Sequence, residues 1–316
     1  MKAVQLTDHH GIDAIKINDI PKPKPGQGQL LVAVKAVGVN PVDWKIAEGL
    51  GKDSFGHALP VTLGCDISGE IVELGQGVTS FNVGDAVLGY VNLQRCGGYA
   101  EFAIAEPGEL ARKPDGITHA QAAALPVASL TAYQALFNDG QLRAGQRVLI
   151  HAASGGVGSM AAQLAKAAGA HVFATASGKN KAFVESLGVD AFIDYRATDF
   201  TKELSDLDLV FDAVGGETQE KSFTILKPQG RLVSIVSPPS QALASQHQVH
   251  ATFTAVVPDG AQLAKIAGDT AAGKLKVTIA KTFSLDQTIE ALRESKAGRT
   301  VGKLIVTAAG LEVKGL

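Results

Sequence analysis

Cysteine is almost missing from this chain. Only Cys65 and Cys96 occur in 316 residues. Two isolated cysteines exclude a disulfide framework and suit a reducing compartment. They also exclude a cysteine-rich zinc loop, because no Cys-x-x-Cys pair is present. None of the eight histidines pairs with a cysteine at metal-ligand spacing, so no metal is expected. Aromatic residues make up 5% of the chain, with one tryptophan. An excess of one charge is missing too: 29 Lys and Arg stand against 31 Asp and Glu. That balance argues against nucleic acid or an acidic surface as the main partner. No apolar run is long enough to span a membrane. The opening Met1-Lys2-Ala3-Val4-Gln5-Leu6 reads as a strand and not as a signal peptide. A cytoplasmic protein without membrane partners is the expectation. Internal repeats and low-complexity segments are absent as well.

Glycine, by contrast, is plentiful, at 35 residues, and the length suits two domains of roughly 100–200 residues each. Residues 1 to 120 are rich in Val, Gly and Pro. Strand-like runs lie at 30–37, 67–74, 86–91 and 100–105, with turn signals such as Pro25-Gly26 and Gly84-Asp85 between them. This is the texture of an all-β, barrel-like domain. Beyond 120, strands and helices alternate. A strand at 146–152, a helix at 156–168, a strand at 171–175 and a helix at 179–187 make one βαβ crossover. Strands at 191–194, 208–213, 231–236 and 251–257 continue a parallel sheet. Then follow a helix at 261–272, a strand near 276–283, a helix at 285–296 and a strand at 302–307. The expected division is 1–122, 123–258 and a return to the first domain over 259–316.

The segment His151-Ala152-Ala153-Ser154-Gly155-Gly156-Val157-Gly158 carries the most chemical information. It joins the strand-like Arg147-Val148-Leu149-Ile150 to a helix-like run. Ala153-x-Gly155-x-x-Gly158 is a dinucleotide fingerprint with alanine in the first glycine position. A small first residue permits the tight turn. Gly155 lets backbone approach a pyrophosphate, and Gly158 lets the helix pack close to its strand. The helix N-terminus then offers N–H groups and a positive dipole end to phosphate. Ser154, Gly156 and Val157 complete the loop.

Several further landmarks stand in order along the chain. They are Gly38-Val39-Asn40-Pro41-Val42-Asp43-Trp44-Lys45, Gly64-Cys65-Asp66-Ile67-Ser68-Gly69, and Gly97-Gly98-Tyr99-Ala100-Glu101-Phe102. Ala123-Ala124-Leu125-Pro126 with Leu130-Thr131-Ala132, Asp194-Tyr195-Arg196, Asp212-Ala213-Val214-Gly215-Gly216 and Val301-Gly302-Lys303-Leu304 complete the set. In these the chain resembles the zinc-free quinone oxidoreductases of the medium-chain dehydrogenase/reductase superfamily. The resemblance implies an α/β protein: a Rossmann doubly wound parallel sheet plus a GroES-like β-barrel catalytic domain, with a cofactor cleft between them. It also implies cofactor contacts at Thr131, Tyr195 and Val214. Zinc members of the superfamily place a cysteine ligand where Asn40 sits and a His-Glu pair where Cys65-Asp66 sits.

Selection of NAD ordinarily uses an acidic residue about 20 residues past the glycine turn. Here the strand His171-Val172-Phe173-Ala174-Thr175 is followed by Ala176-Ser177-Gly178-Lys179-Asn180-Lys181, and no carboxylate occurs until Glu185. Ser177 and Lys181, with Lys179 as a substitute, are the candidates for a 2′-phosphate, and NADPH is the expected cofactor. Without a metal Lewis acid, a conjugated acceptor is easier to reduce than a simple carbonyl, because the charge spreads onto an oxygen that hydrogen-bond donors can stabilise. Quinones and α,β-unsaturated carbonyls meet this need. The candidate catalytic groups are Asn40, Asp43 and Lys45. Asn40-Pro41-Val42-Asp43 equally suits a helix start, with Asn as N-cap and Pro in the first position. An enoyl or acryloyl thioester reductase and a non-catalytic NADPH-binding protein are the alternatives. The run at 251–257 is β-branched and aromatic. It is expected at the sheet's edge, and the resemblance implies that it pairs with its own copy in a homodimer.

Overall fold

The computed structural model describes residues 1–52 and 55–308. The chain divides into two compact units. One is Met1–Val127 with the segment from Pro258 onward, and the other is Ala128–Val257. The end of the segment expected at 259–316 lies outside the described residues.

The first unit begins with β1 (Lys2–Leu6), β2 (Ile15–Asp19), β3 (Leu30–Gly38), β4 (Val61–Thr62), β5 (Asp66–Leu74), β6 (Ala86–Tyr90), β7 (Phe102–Ala105) and β8 (Leu110–Arg112). The second unit contains β9 (Arg147–Ile150), β10 (His171–Ala176), β11 (Ala191–Asp194), β12 (Leu207–Asp212), β13 (Leu226–Ser234) and β14 (His250–Phe253). The chain then gives β15 (Ile279–Ser284) and β16 (Lys303–Thr307) back to the first unit.

In the first unit a small sheet has the order β2-β1-β4. A larger sheet runs β15-β16-β3-β5-β6-β8, with β7 on β3. Its core is aliphatic, with Leu30, Val32, Val34, Ile67, Ile71 and Val87 all buried. The closed barrel expected from the strand pattern is not what forms. Among the described residues the sheet is open and branched. One edge of β3 is shared: Leu30–Ala33 pair with β7, while Ala36–Gly38 pair with β16. The other edge pairs with β5 throughout. A strand whose edge is divided between two partners starts a fork, and β8 and β15 end the sheet without meeting.

The second unit is a six-stranded parallel sheet in the order β11-β10-β9-β12-β13-β14. This is the doubly wound order. Its direction reverses between β9 and β12, where a ligand crevice opens beyond the carboxyl ends of the strands. Helix Gly156–Ala167 follows β9 and buries Met160, Ala161, Leu164 and Ala165. Strand β14 lies at the sheet's edge but stops at Phe253, short of the expected 257. The Gln134 side chain intercepts the backbone there, donating to the Val257 carbonyl at 2.9 Å and accepting the Val257 N–H at 3.0 Å. Thr254 is held similarly by Asp139, which accepts its hydroxyl at 2.6 Å. Among the described residues, no helix is long and apolar enough to cross a membrane.

Candidate functional site

The turn after β9 is built around two glycines with different jobs. A Cβ on Gly158 would lie 2.3 Å from the Ala152 carbonyl oxygen and 2.9 Å from the Ala153 Cα. No side chain fits, so only glycine brings the helix this close to its strand. A Cβ on Gly155 would meet only the Ala152 oxygen, at 3.4 Å. Gly155 therefore borders open space, and it is the N-cap of the twelve-residue helix Gly156–Ala167. Free N–H groups and a bare backbone beside open space make a cradle that fits a diphosphate. The sharp bend is not at Ala153, the small first residue of the fingerprint, which is fully buried. It is at Ala152, whose φ of 53° lies in the left-handed region. A non-glycine residue held there stores strain at the ligand-facing turn.

Ser154 accepts a hydrogen bond from the Asn180 amide at 3.0 Å, which ties the glycine turn to the segment following β10. Ser177 is buried just beyond β10. Lys181 is exposed, 3.8 Å from Glu185 on its own helix. Lys179 is also exposed.

Beside this turn is a cavity of about 550 Å³, lined by residues that follow β9, β11 and β12 and by Thr175 within β10. Volumes of this order hold small ligands and cofactor fragments. His151 and Thr175 line its base. His151 is 1% exposed, with Nδ1 3.0 Å from Thr175 Oγ1 and Nε2 3.0 Å from Ser222 Oγ. The Ser222 hydroxyl donates to the Thr218 carbonyl, so it accepts from His151 Nε2–H, and Nδ1 accepts from Thr175. Burial pushes the imidazole pKa down to about 4, and nearby Asp212 only partly opposes this. The ring is therefore neutral near pH 7. Tyr195 and Arg196 form one wall and Val214 another. Tyr195 is 55% exposed and Val214 48% exposed. The loop carrying Val214 is shaped by buried Asp212, which accepts the N–H groups of Val214 and Gly215 at 3.0 and 2.9 Å. Thr131 is buried in helix Pro126–Tyr133 and does not line this cavity.

The first unit holds a separate buried polar cluster. Asn40 is the N-cap of helix Pro41–Ala47, and its N–H donates to Asp43 Oδ2 at 2.8 Å. Its side chain is committed elsewhere. Nδ2 donates to Asp66 Oδ2 at 2.8 Å, and Oδ1 accepts from Lys303 Nζ at 2.6 Å. Lys303 also donates to the Val39 carbonyl at 2.9 Å and reaches Asp66 Oδ2 at 3.3 Å. Asp66 is fully buried and accepts the Val127 N–H through its other oxygen. Burial pushes the Asp66 pKa up, and the Lys303 charge opposes it. Asp43 Oδ2 also accepts from the Tyr99 hydroxyl at 2.7 Å, while Oδ1 has no partner. Burial raises the Asp43 pKa to about 7 against these two donors. Lys45 does not join the cluster. Its ammonium lies 5.7 Å from the Trp44 ring centroid. Of the three expected catalytic groups, Asn40 and Asp43 are thus adjacent and enclosed, and Lys45 stands apart. Tyr99 and Lys303, which stand among the sequence landmarks, are integral to the cluster.

The donors at Asn40, Cys65 and Asp66 do not fit a zinc ion. An ammonium already binds Asn40 and Asp66, and it would repel a dication at that place. Burial holds Cys65 as the thiol by pushing its pKa well up, whereas a zinc ligand must be the thiolate. Among the described residues, no three His, Cys, Asp or Glu side chains come together as a metal-binding group.

A family model described as "Alcohol dehydrogenase GroES-like domain" matches residues 26–115, and one described as "Zinc-binding dehydrogenase" matches residues 187–306. A chloroplast envelope quinone oxidoreductase homolog of Arabidopsis thaliana is 33% identical, over 97% of this chain and 98% of its own length. The structure of a quinone oxidoreductase from Coxiella burnetii superposes with a TM-score of 0.92 at 34% identity, covering 97% of this chain and 99% of that one. An Escherichia coli quinone oxidoreductase complexed with NADPH superposes at 0.88 with 25% identity, covering 97% of this chain and all of the other.

Proposed function

The chain belongs to the quinone oxidoreductase family of the medium-chain dehydrogenase/reductase superfamily, and on that premise we propose that it is an NADPH-dependent, metal-independent reductase of quinones and α,β-unsaturated carbonyls. The observation that carries this reading is the glycine cradle, with Gly158 closed by backbone and Gly155 open. The E. coli relative carries NADPH, which supports the same cofactor here. When bound, the dinucleotide supplies a hydride.

The chain's own residues supply the rest. Gly156 and Val157 offer free backbone N–H groups for the pyrophosphate, Gly155 gives the open space beside them while its own N–H bonds the Ala152 carbonyl, and Ser154 is held in place by Asn180. The cavity walled by Tyr195, Arg196 and Val214 takes the adenosine. Ser177, Lys179 and Lys181 follow on the segment after β10 and provide hydroxyl and ammonium groups for the 2′-phosphate. In the first unit, Lys303 fixes the direction of the Asn40 amide and keeps a positive charge beside Asp66. The donor set disfavours a dication, and this supports a conjugated acceptor. Such an acceptor delocalises the incoming charge onto its own oxygen and does not depend on a metal for polarisation.

The test is oxidation of NADPH and of NADH against a quinone, an enone, a saturated aldehyde and an enoyl thioester, each with and without prolonged chelation. Quinone or enone turnover that resists the chelator is expected. No turnover with any conjugated acceptor, despite cofactor binding, would leave a dinucleotide-binding protein without this activity.

A further inference from the structure

We propose that Asp194 and Arg196 jointly set the preference between the two nicotinamide dinucleotides, Asp194 favouring a free ribose diol and Arg196 a 2′-phosphate. This rests on the reading of the second unit's cavity as the adenosine site. Along the sequence no carboxylate follows β10 until Glu185. The parallel sheet supplies one from the neighbouring strand, because β10 and β11 pair with Ala176 opposite Asp194. Asp194 thereby stands beside the turn that begins at Ser177. A Cβ at Gly178 would lie 2.4 Å from Asp194 Oδ2, so the missing side chain makes room for this carboxylate.

Asp194 immediately precedes the cavity-wall residues Tyr195 and Arg196. Its Oδ1 accepts the Arg196 N–H at 3.0 Å. Among the described residues, no donor is bonded to Oδ2. A carboxylate oxygen left open at this corner accepts hydrogen bonds from a ribose diol and repels a phosphate dianion. Arg196 provides the opposite force two residues later. It lines the cavity with its guanidinium 5.7 Å from the Tyr195 ring centroid, and no carboxylate among the described residues pairs with it. Lys221, also on the cavity wall, is paired with Glu217 at 2.7 Å. Arg196 is therefore the cavity-wall cation still available to grip a phosphate, and its planar fork suits that geometry. One carboxylate and one guanidinium in the same turn make cofactor choice a balance, with NADPH favoured and NADH bound more weakly.

The experiment is calorimetric titration of the full chain with NADPH and with NADH, comparing the parent with Asp194→Asn and Arg196→Leu. Asp194→Asn should weaken NADH by about tenfold to a hundredfold, the range for a hydrogen bond to a charged group, and should tighten NADPH. Arg196→Leu should weaken NADPH by a similar factor and leave NADH nearly unchanged, with Arg196→Lys recovering part of the loss. Should Asp194→Asn fail to fold, Asp194→Ser makes the same measurement. Binding of both dinucleotides with ratios unchanged in the variants overturns this proposal alone. A parent that binds neither dinucleotide overturns it together with the functional reading it rests on.

Discussion

Replacing Asp43 by asparagine should flatten the pH dependence of stability in the first unit. The Asp43 carboxyl is 1% exposed, with Oδ2 accepting from Asn40 N–H and Tyr99 OH and Oδ1 accepting nothing. Burial lifts its folded pKa to about 7, against about 3.9 in an unfolded chain. The folded state therefore keeps a proton that the unfolded state has released. Stability is unaffected by this group below about pH 4, falls as pH rises to about 7, and is level above that. Each unit of the window costs about 1.4 kcal/mol, or about 4 kcal/mol in all. An asparagine at 43 can accept both existing hydrogen bonds and has no charge to develop. The difference between variant and parent should therefore shift in the variant's favour by several kcal/mol between pH 4 and pH 8. Trp44, the only tryptophan, is adjacent in sequence, so urea unfolding followed by its fluorescence reports on this unit. Parallel stability-against-pH curves for the two proteins would refute the argument.

The glycine turn makes a paired prediction. Gly155→Val should fold and lose dinucleotide binding by titration, whereas Gly158→Ala should lower the melting temperature because its Cβ has nowhere to go. Lys303→Met should destabilise the first unit by about 3–5 kcal/mol in denaturant melts, since Asp66 would stay buried without its cation; Lys303→Arg should recover part of this, and a Lys303→Met variant as stable as the parent would mean that the pair is not coupled. Strand β14 leaves Phe253 40% exposed at an open sheet edge, and we propose that it pairs with a second copy across a two-fold axis. Sedimentation should show a dimer at micromolar concentration, weakened by Phe253→Lys; a monomeric parent rules this out. Proline at Thr254 is a poorer probe, because Thr254 N–H already bonds to Ser234 within the chain.

Much of the architecture can be read locally. Alternation of strand-like and helix-like runs foretells the six parallel strands of the second unit, because side-chain periodicity is set by backbone geometry over a few residues. The glycine turn is legible for the same reason: the constraint that excludes a Cβ at Gly158 comes from residues six positions away or fewer. Segments whose ends depend on distant partners are harder. Sequence pattern carries the last strand of the second unit to 257, because nothing in 251–257 reveals that Gln134 captures Val257.

What the sequence by itself determined is therefore the fold class, the place of the glycine turn and the small residues that make it. Tertiary structure alone decided the rest. It joined Lys303 to Asn40 across 263 positions, and so converted a candidate catalytic amide into a buried, fully engaged one. It split the edge of β3 between β7 and β16 and left the expected barrel open. It brought Asp194 into register with Ala176, restoring a carboxylate to a corner whose own segment lacks one. Short-range pattern specifies which face of an element is buried. Which element becomes its neighbour, and which charge then meets which, is fixed only when strands pair across the whole chain.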